Sequence, residues 1–193
     1  KWQDMYREKL KTLEEAAAMI ENGDRISLPT ANGTPRFLWQ AIAKRIGAGE
    51  LKDSELMVGL NLNAPGLTRP EVASQIYYRG GYISPYERPM AQKGIIDPTP
   101  IRFFDIPRTC IEDRNYNVVT MTASPMDSHG WFSCALNCSH SYSMTRRAWE
   151  KGKPMKVFLE VNKNAPFVHG ANHFHISEVT ALVEADWELI APP

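Results

Sequence analysis

The chain reads as an α/β protein with an open, largely parallel sheet and helices on both faces. Two patterns predict it. Short runs of apolar and β-branched residues alternate with segments whose apolar residues recur at three-and-four spacing, the order that makes β-loop-α units. Polar turns containing Gly and Pro stand where strands give way to helices, the edge at which open α/β sheets bind ligands. With 193 residues, 43% of them hydrophobic and 23% charged, the chain can build one ample core and has an ordinary globular composition.

The first helix is predicted from Thr12-Leu13-Glu14-Glu15, a capping box in which the Thr hydroxyl accepts from the amide three residues on and Glu15 reaches back. It runs through Ala16, Ala17, Met19 and Ile20 and stops at Asn22-Gly23, a pair suited to a left-handed cap. Arg25-Ile26-Ser27-Leu28 is a short strand. In the turn-rich loop 29–35, Thr34 is placed to cap a second helix and Pro35 to fill its first position. Phe37, Leu38, Ala41, Ile42 and Ile46 mark that helix's buried face. Residues 56–60 (Leu-Met-Val-Gly-Leu) form the next strand.

Residues 61–100, rich in Pro, Gly and Tyr, predict one helix, starting near Pro70 and carrying Val72, Ala73 and Ile76. Tyr77, Tyr78, Tyr82 and Tyr86 read as a packed cover over a cleft or a subunit contact, beside the plainer reading of ordinary packing. Ile101-Arg102-Phe103-Phe104 is expected to be a strand, and residues 105–114 a short helix or loop. The apolar strand Val118-Val119-Thr120-Met121 runs into Ser124-Pro125-Met126-Asp127-Ser128-His129-Gly130-Trp131-Phe132-Ser133, expected to lead to a helix. Ser141 or Ser143 would cap that helix, which passes Met144, Ala148 and Trp149 and ends at Gly152 and Pro154. Residues 155–161 give the strongest strand pattern and residues 179–183 the last.

Lys plus Arg equals Asp plus Glu at 22 each, so the chain lacks the broad charge footprint of a nucleic-acid or anionic-membrane binder, and any anion site is local. No apolar stretch approaches the roughly 20 residues that span a bilayer, and the polar start shows no signal-type region, so a cytoplasmic location is expected. Cys110, Cys134 and Cys138 read as reduced thiols. His169, His173 and His175 could ligate zinc, but no Cys or carboxylate completes the set and no metal is expected. The start at Lys1 and the closing Pro192-Pro193 pair lead us to expect a domain over residues 1–188, with residues 189–193 beginning a linker to a second domain.

The run from Ser124 to Gly130 resembles the Ser-Pro-Pro-Asp-x-x-Gly loop in the N-terminal half of the acetyl-CoA hydrolase and 4-hydroxybutyrate CoA-transferase family. Other motifs follow in the same order. Trp2, Tyr6 and Gly23-Asp24-Arg25 resemble the family's N-terminal pattern, and Asn32-Gly33-Thr34-Pro35 its small-residue loop. Arg88, Gly94, Pro100 and Asp105-Ile106-Pro107 are similar to its Arg, Gly and Pro before an acidic-x-Pro segment. Leu159-Glu160-Val161-Asn162, Pro166, Gly170 and His175-Ile176-Ser177-Glu178-Val179 are similar to its Glu-Val-Asn and His-Val-Ser-Glu-Ile elements. Met126 stands where the family usually has a second Pro and Ala135 where it often has Gly, which leaves the substrate open.

The resemblance implies a CoA-transferase-like sheet of the NagB/RpiA type and a two-half enzyme whose active site lies between the halves. It implies a glutamate that attacks an acyl-CoA thioester and later carries CoA as a glutamyl thioester. That glutamate belongs to the family's C-terminal half, so no catalytic residue is expected in this chain, which alone would be inactive. Coenzyme A enters as substrate, with no tightly bound cofactor. The expected partners are an acyl-CoA, a small carboxylate, the C-terminal half and, in a homo-oligomer, further copies. The candidate substrate and CoA contacts are Asn32, Gly33, Thr34, Arg88, Ser124, Pro125, Met126, Asp127 and Gly130.

Each candidate has a plainer reading beside the functional one. Gly33 and Thr34 can aim amides at a developing oxyanion, or simply turn and cap. Pro125, Asp127 and Gly130 can touch ligand, or form a bend, an Asx turn and a positive-φ corner. Arg88 can pair with a carboxylate or phosphate, or stand solvated on the surface. Glu160 reads as a buried structural carboxylate bonded near Asn162 rather than a nucleophile. An acyl-CoA hydrolase, a non-catalytic acyl-CoA-binding or partner subunit, and a sugar-phosphate binder on the same fold are the alternatives.

Overall fold

A computed structural model describes residues 1–62 and 66–190. Its centre is a parallel sheet built from β1 (Arg25–Leu28), β2 (Glu55–Val58), β3 (Tyr77–Gly80), β4 (Ile96–Pro98), β5 (Val118–Ala123), β7 (Lys156–Val161) and β9 (Ala181–Glu184). These seven strands lie in the order β4-β3-β2-β1-β5-β7-β9. A separate antiparallel ribbon pairs β6 (Trp131–Ser133) with β8 (His173–His175). The helices are α1 (Trp2–Lys9), α2 (Leu13–Ala18), α3 (Phe37–Gly47), the short α4 (Pro70–Ala73), α5 (Arg88–Gln92) and α6 (Ile106–Arg108), and α7 (Ser141–Glu150).

Alternation along the strands sorts side chains onto two faces. Ile26, Leu28, Leu56, Val58, Val118 and Phe158 pack with Ile20, Leu38, Trp39 and Ile42, from the side of α2 to α5. Met57, Val119, Met121, Val157 and Leu159 pack with Ile106, Ile111, Met144, Ala148 and the ribbon's Phe132 and Phe174. Both faces are thus covered, as parallel sheets require. Each fully buried aliphatic side chain contributes about 1.5–3 kcal/mol.

The capping box of α2 forms as its sequence predicts: Glu15 N donates to Thr12 Oγ1 at 3.1 Å and Thr12 N to Glu15 Oε2 at 2.8 Å. Gly23 turns at φ +81°. Several expectations are corrected. Tyr77 and Tyr78 are not a cover over a cleft; they sit in β3, Tyr78 buried and Tyr77 bonded to Asp97, while Tyr86 stands exposed and only Tyr82, exposed as well, borders a cleft. Arg79 holds that strand in the sheet by pairing with Glu55 at 2.5 Å and Asp97 at 2.8 Å. The segment expected to be a strand at residues 101–104 is instead a 3-10 turn, Phe103–Asp105, with both phenylalanines exposed. Residues 124–133 end in the unforeseen strand β6, and the expected helix, α7, follows at Ser141. Neither Ser141 nor Ser143 caps α7, whose N-cap is His140, and the His140 side chain makes no capping hydrogen bond to the helix. Of the expected linker, residues 191–193 lie outside the described residues.

At the sheet's outer boundary, Leu10 bridges Leu182 and Lys11 N donates to the Leu182 carbonyl at 2.9 Å, so the chain before α2 lies along β9. The opposite boundary, β4, is three residues long and ends in Pro98.

Candidate functional site

The chain winds outward from β1 through β2 and β3 to β4, then crosses back to place β5 on β1's other side. The switch point therefore lies between the carboxyl ends of β1 and β5, where open parallel sheets leave a crevice for ligand. The loops after these two strands, residues 29–36 and 124–130, contain all the candidate residues except Arg88.

The first loop is held by distant partners. Its 3-10 turn, Ala31–Gly33, has Ala31 at φ +52° and Ala31 N donating to the Leu60 carbonyl at 2.8 Å. Gly33 N and Thr34 N donate to Thr30 O and Ala31 O, so both amides expected to face an oxyanion are engaged within the turn. Gly33 sits so close to the next layer that a Cβ there would lie 2.5 Å from the Asn137 carbonyl oxygen. Asn32 clasps Ile190: its Nδ2 donates to Ile190 O at 2.7 Å and its Oδ1 accepts from Ile190 N at 2.9 Å.

Thr34 does not cap α3. Its hydroxyl donates to Pro29 O at 2.9 Å, and the cap comes from Glu160 at the end of β7. One Glu160 oxygen accepts from Arg36 N at 2.7 Å, the other from Phe37 N and Leu38 N at 2.8 and 2.7 Å. Trp187 Nε1 also donates to Glu160 at 2.8 Å, and Asn162 Nδ2 bonds the Trp187 carbonyl, which makes the expected structural carboxylate near Asn162 explicit. Burial raises the Glu160 pKa, while the amides of Leu38, Arg36 and Phe37 and the Trp187 indole pull it back.

The second loop is held mainly from within, with one long-range bond from Ile176 N to Gly130 O at 2.8 Å. Asp127 Oδ1 accepts from His129 N and Trp131 N, both at 2.8 Å, and Asp127 N donates to Trp131 O. Ser124 Oγ accepts from Ser133 N at 3.0 Å. Gly130 turns at φ +89°, where a Cβ would lie 2.8 Å from His175 Nε2. Ser124, Asp127 and Gly130 thus shape the loop. Pro125 and Met126 face outward into a cleft of about 420 Å³ shared with Tyr6, Lys163, Glu184 and Asp186. There Tyr6 donates to Glu184 at 2.5 Å, and burial raises the phenol's pKa.

Among the described residues no hydrogen bond joins the two loops. Arg88 opens α5 on the far side of β3, exposed, and its guanidinium makes no hydrogen bond or ion pair among the described residues. His169 and His173 lie near each other, ring centroids 6.5 Å apart, but His173 Nε2 bonds Val168 O at 2.8 Å, His175 Nδ1 bonds Ser177 Oγ at 2.7 Å, and no group of three His, Cys, Asp or Glu among the described residues is placed to hold a metal. The three cysteines are free thiols; Cys110 and Cys134 are buried and Cys138 half-buried. No helix of the described residues is long and apolar enough to cross a membrane.

Sequence reasoning missed a second, mostly apolar cleft of about 200 Å³ beside the switch point, lined by Thr30, Leu60, Tyr82, Ile101, Phe103 and Ile106 among others. It also missed the buried polar chain behind it. His140 lies under this edge with Nε2 2.8 Å from Ser27 Oγ and Nδ1 2.9 Å from Ser139 Oγ, and Ser139 Oγ lies 2.8 Å from Thr30 Oγ1. Burial pulls the His140 pKa down to about 4. These partners are far apart in sequence, and no local motif announces them.

A doubly covered parallel sheet with clefts at the carboxyl ends of its strands defines an open α/β domain. Residues 1–192 match the family model described as the acetyl-CoA hydrolase/transferase N-terminal domain, and the chain belongs to that family. It is 34% identical to a succinyl-CoA:cyclohexane-1-carboxylate CoA transferase of Geobacter metallireducens, over 94% of this chain and 39% of that protein. It is 29% identical to a 4-hydroxybutyrate coenzyme A transferase of Clostridium kluyveri, over 98% of this chain and 42% of that protein. The crystal structure of RipA from Yersinia pestis superposes with a TM-score of 0.90 at 29% identity, covering all of this chain and 46% of that one. The chain thus spans about two fifths of the length of the curated relatives it matches.

Proposed function

We propose that this chain is the N-terminal half of a CoA-transferase that moves CoA between an acyl-CoA and a small carboxylic acid of the 4-hydroxybutyrate, acetate or butyrate type. The observation that carries the reading is the apolar cleft beside the switch point, sized for a short acyl group and placed where such sheets bind ligand. The names of its relatives, all CoA transferases, support it.

The reaction would divide one exchange into easier steps. A glutamate of the C-terminal half attacks the thioester carbonyl and expels the CoA thiolate, leaving an acyl-glutamyl anhydride. The thiolate then attacks the glutamyl carbonyl and releases the donor acid as a carboxylate. An acceptor carboxylate reverses both steps to leave as a new acyl-CoA. In this scheme the present chain supplies a wall of the site. Pro125 and Met126 contact the acyl-CoA, while Ser124, Asp127 and Gly130 hold their loop. Asn32, Gly33 and Thr34 shape the opposite loop, and Arg88 meets a phosphate or carboxylate. Coenzyme A is substrate rather than resident cofactor, and the working protein is a cytoplasmic homo-oligomer.

The test is to incubate the full-length protein with butyryl-CoA or acetyl-CoA and a panel of short acids, following acyl-CoA species by mass spectrometry. New acyl-CoA formed in step with loss of donor is the expected result. Free CoA without an acceptor would make the protein a hydrolase, and CoA binding without turnover a binding subunit.

A further inference from the structure

We propose that Thr30 is the polar contact of the apolar cleft, its hydroxyl donating to an oxygen of the bound acyl group, with the direction of that hydrogen set by the tautomer of His140. The inference deepens the CoA-transfer reading and rests on its assignment of an acyl group to this cleft.

Ser139 Oγ has three polar neighbours and a single hydrogen to give them. A serine hydroxyl has one hydrogen to give and two lone pairs to offer. One lone pair of Ser139 takes Thr30 N–H at 3.1 Å. The hydrogen and the remaining lone pair are left for Thr30 Oγ1 at 2.8 Å and His140 Nδ1 at 2.9 Å. The two contacts must therefore run in opposite senses. With the ring proton on Nε2, Ser139 donates to Nδ1 and accepts from Thr30, whose hydrogen is turned inward. With the proton on Nδ1, Ser139 accepts from the ring and donates to Thr30 Oγ1, and the Thr30 hydrogen is released. Ser27 Oγ, 2.8 Å from Nε2, serves either state, because a hydroxyl both donates and accepts.

Burial keeps one proton on the ring, so the choice between the states is a choice of tautomer and not of charge. The cleft is built around this hydroxyl. Gly59 borders it, and a Cβ at that position would lie 2.5 Å from Thr30 Oγ1. Phe103 lines the cleft and meets the His140 ring edge-on, with centroids 6.2 Å apart. An acyl group entering an otherwise apolar cleft brings an oxygen that needs a donor, and leaving that oxygen without one is costly. A ligand oxygen at Thr30 would thus draw the hydrogen outward and move the ring proton to Nδ1. In this role Thr30 touches ligand, while Ser139 and His140 position its hydrogen.

The test is calorimetric titration of the full-length protein, with butyrate and butyryl-CoA as probes, for wild type, Thr30→Val and Thr30→Ser. The expected result is affinity about tenfold weaker for the isosteric Thr30→Val and restored to within about threefold by Thr30→Ser. In histidine-labelled protein, the ¹⁵N shifts of the His140 ring should move toward the Nδ1-protonated form as ligand is added. Affinities within twofold across the three proteins, or no binding to wild type, would overturn the inference, and ring shifts that ignore ligand would overturn its tautomer part. Should Thr30→Val not fold, Ser139→Ala keeps the Thr30 hydroxyl and removes the inward acceptor that competes for its hydrogen; affinity should be kept or strengthened while the His140 ring shifts stop responding to ligand, and binding lost, or ring shifts that still follow ligand, would again overturn the proposal. Wild type that binds both probes without transferring CoA would sink the transfer reading while leaving the role of Thr30 standing.

Discussion

The two loops that flank the switch point hold their shapes in opposite ways. The loop after β1 is fixed by residues far along the chain: Glu160 on the amides of α3, Ile190 on Asn32, Ser139 on Thr30 and Asn137 against Gly33. The loop after β5 is fixed mainly by its own members, with Asp127 gathering the amides of His129 and Trp131 and a single long-range bond from Ile176 N to Gly130 O. A loop tied to distant elements shares the fate of the whole core, whereas a self-contained turn carries its cost locally. The difference is one of energetic reach, and it can be measured.

The largest effect should come from Glu160→Ala, which leaves three amides and the Trp187 indole without their acceptor. We expect a loss of about 3–5 kcal/mol in urea denaturation of the full-length protein, the scale of an uncompensated buried partner. Next is His140. Its pKa is lowered to about 4 by burial, from an ordinary 6.5, so the unfolded chain takes up the proton first as pH falls. Stability should be lost between about pH 6.5 and 4, by about 3 kcal/mol in full, and His140→Asn should flatten that acid limb relative to wild type. Gly33→Ala should cost about 2 kcal/mol, because the new methyl meets a backbone carbonyl that cannot move aside cheaply. Asp127→Ala should cost only about 1 kcal/mol, since the freed amides of an exposed turn can bond water. An Asp127→Ala loss equal to that of Glu160→Ala would erase the distinction between the loops.

The same distinction decides what could be read from the sequence. The capping box at Thr12, the strands at residues 25–28, 118–121 and 155–161, and the Asx turn at Asp127 are local patterns, and each formed as expected. The family, too, was legible, because its motifs recur in order along the chain. Thr34 resembled a cap because its neighbours fitted one, yet the acceptor that caps α3 lies on another strand. β3 and β4 were missed because Arg79 and Pro98 are poor strand signals; Arg79 is tolerated only through Glu55 and Asp97, which the fold brings beside it. The apolar cleft and its His140 relay were invisible for the same reason. Hydrogen-bond partners on different elements leave no spacing to recognise.

The strap of Leu10 and Lys11 along β9 also governs how this molecule can meet another. An uncovered parallel edge offers a row of amides and carbonyls on which a foreign strand can grow. Here one boundary is occupied at Leu182 by the protein's own chain, and the other is cut short at Pro98, which has no amide hydrogen to offer. Extension of the sheet from molecule to molecule is thereby discouraged at both ends, and association is steered toward the helical faces and the loops above the strands.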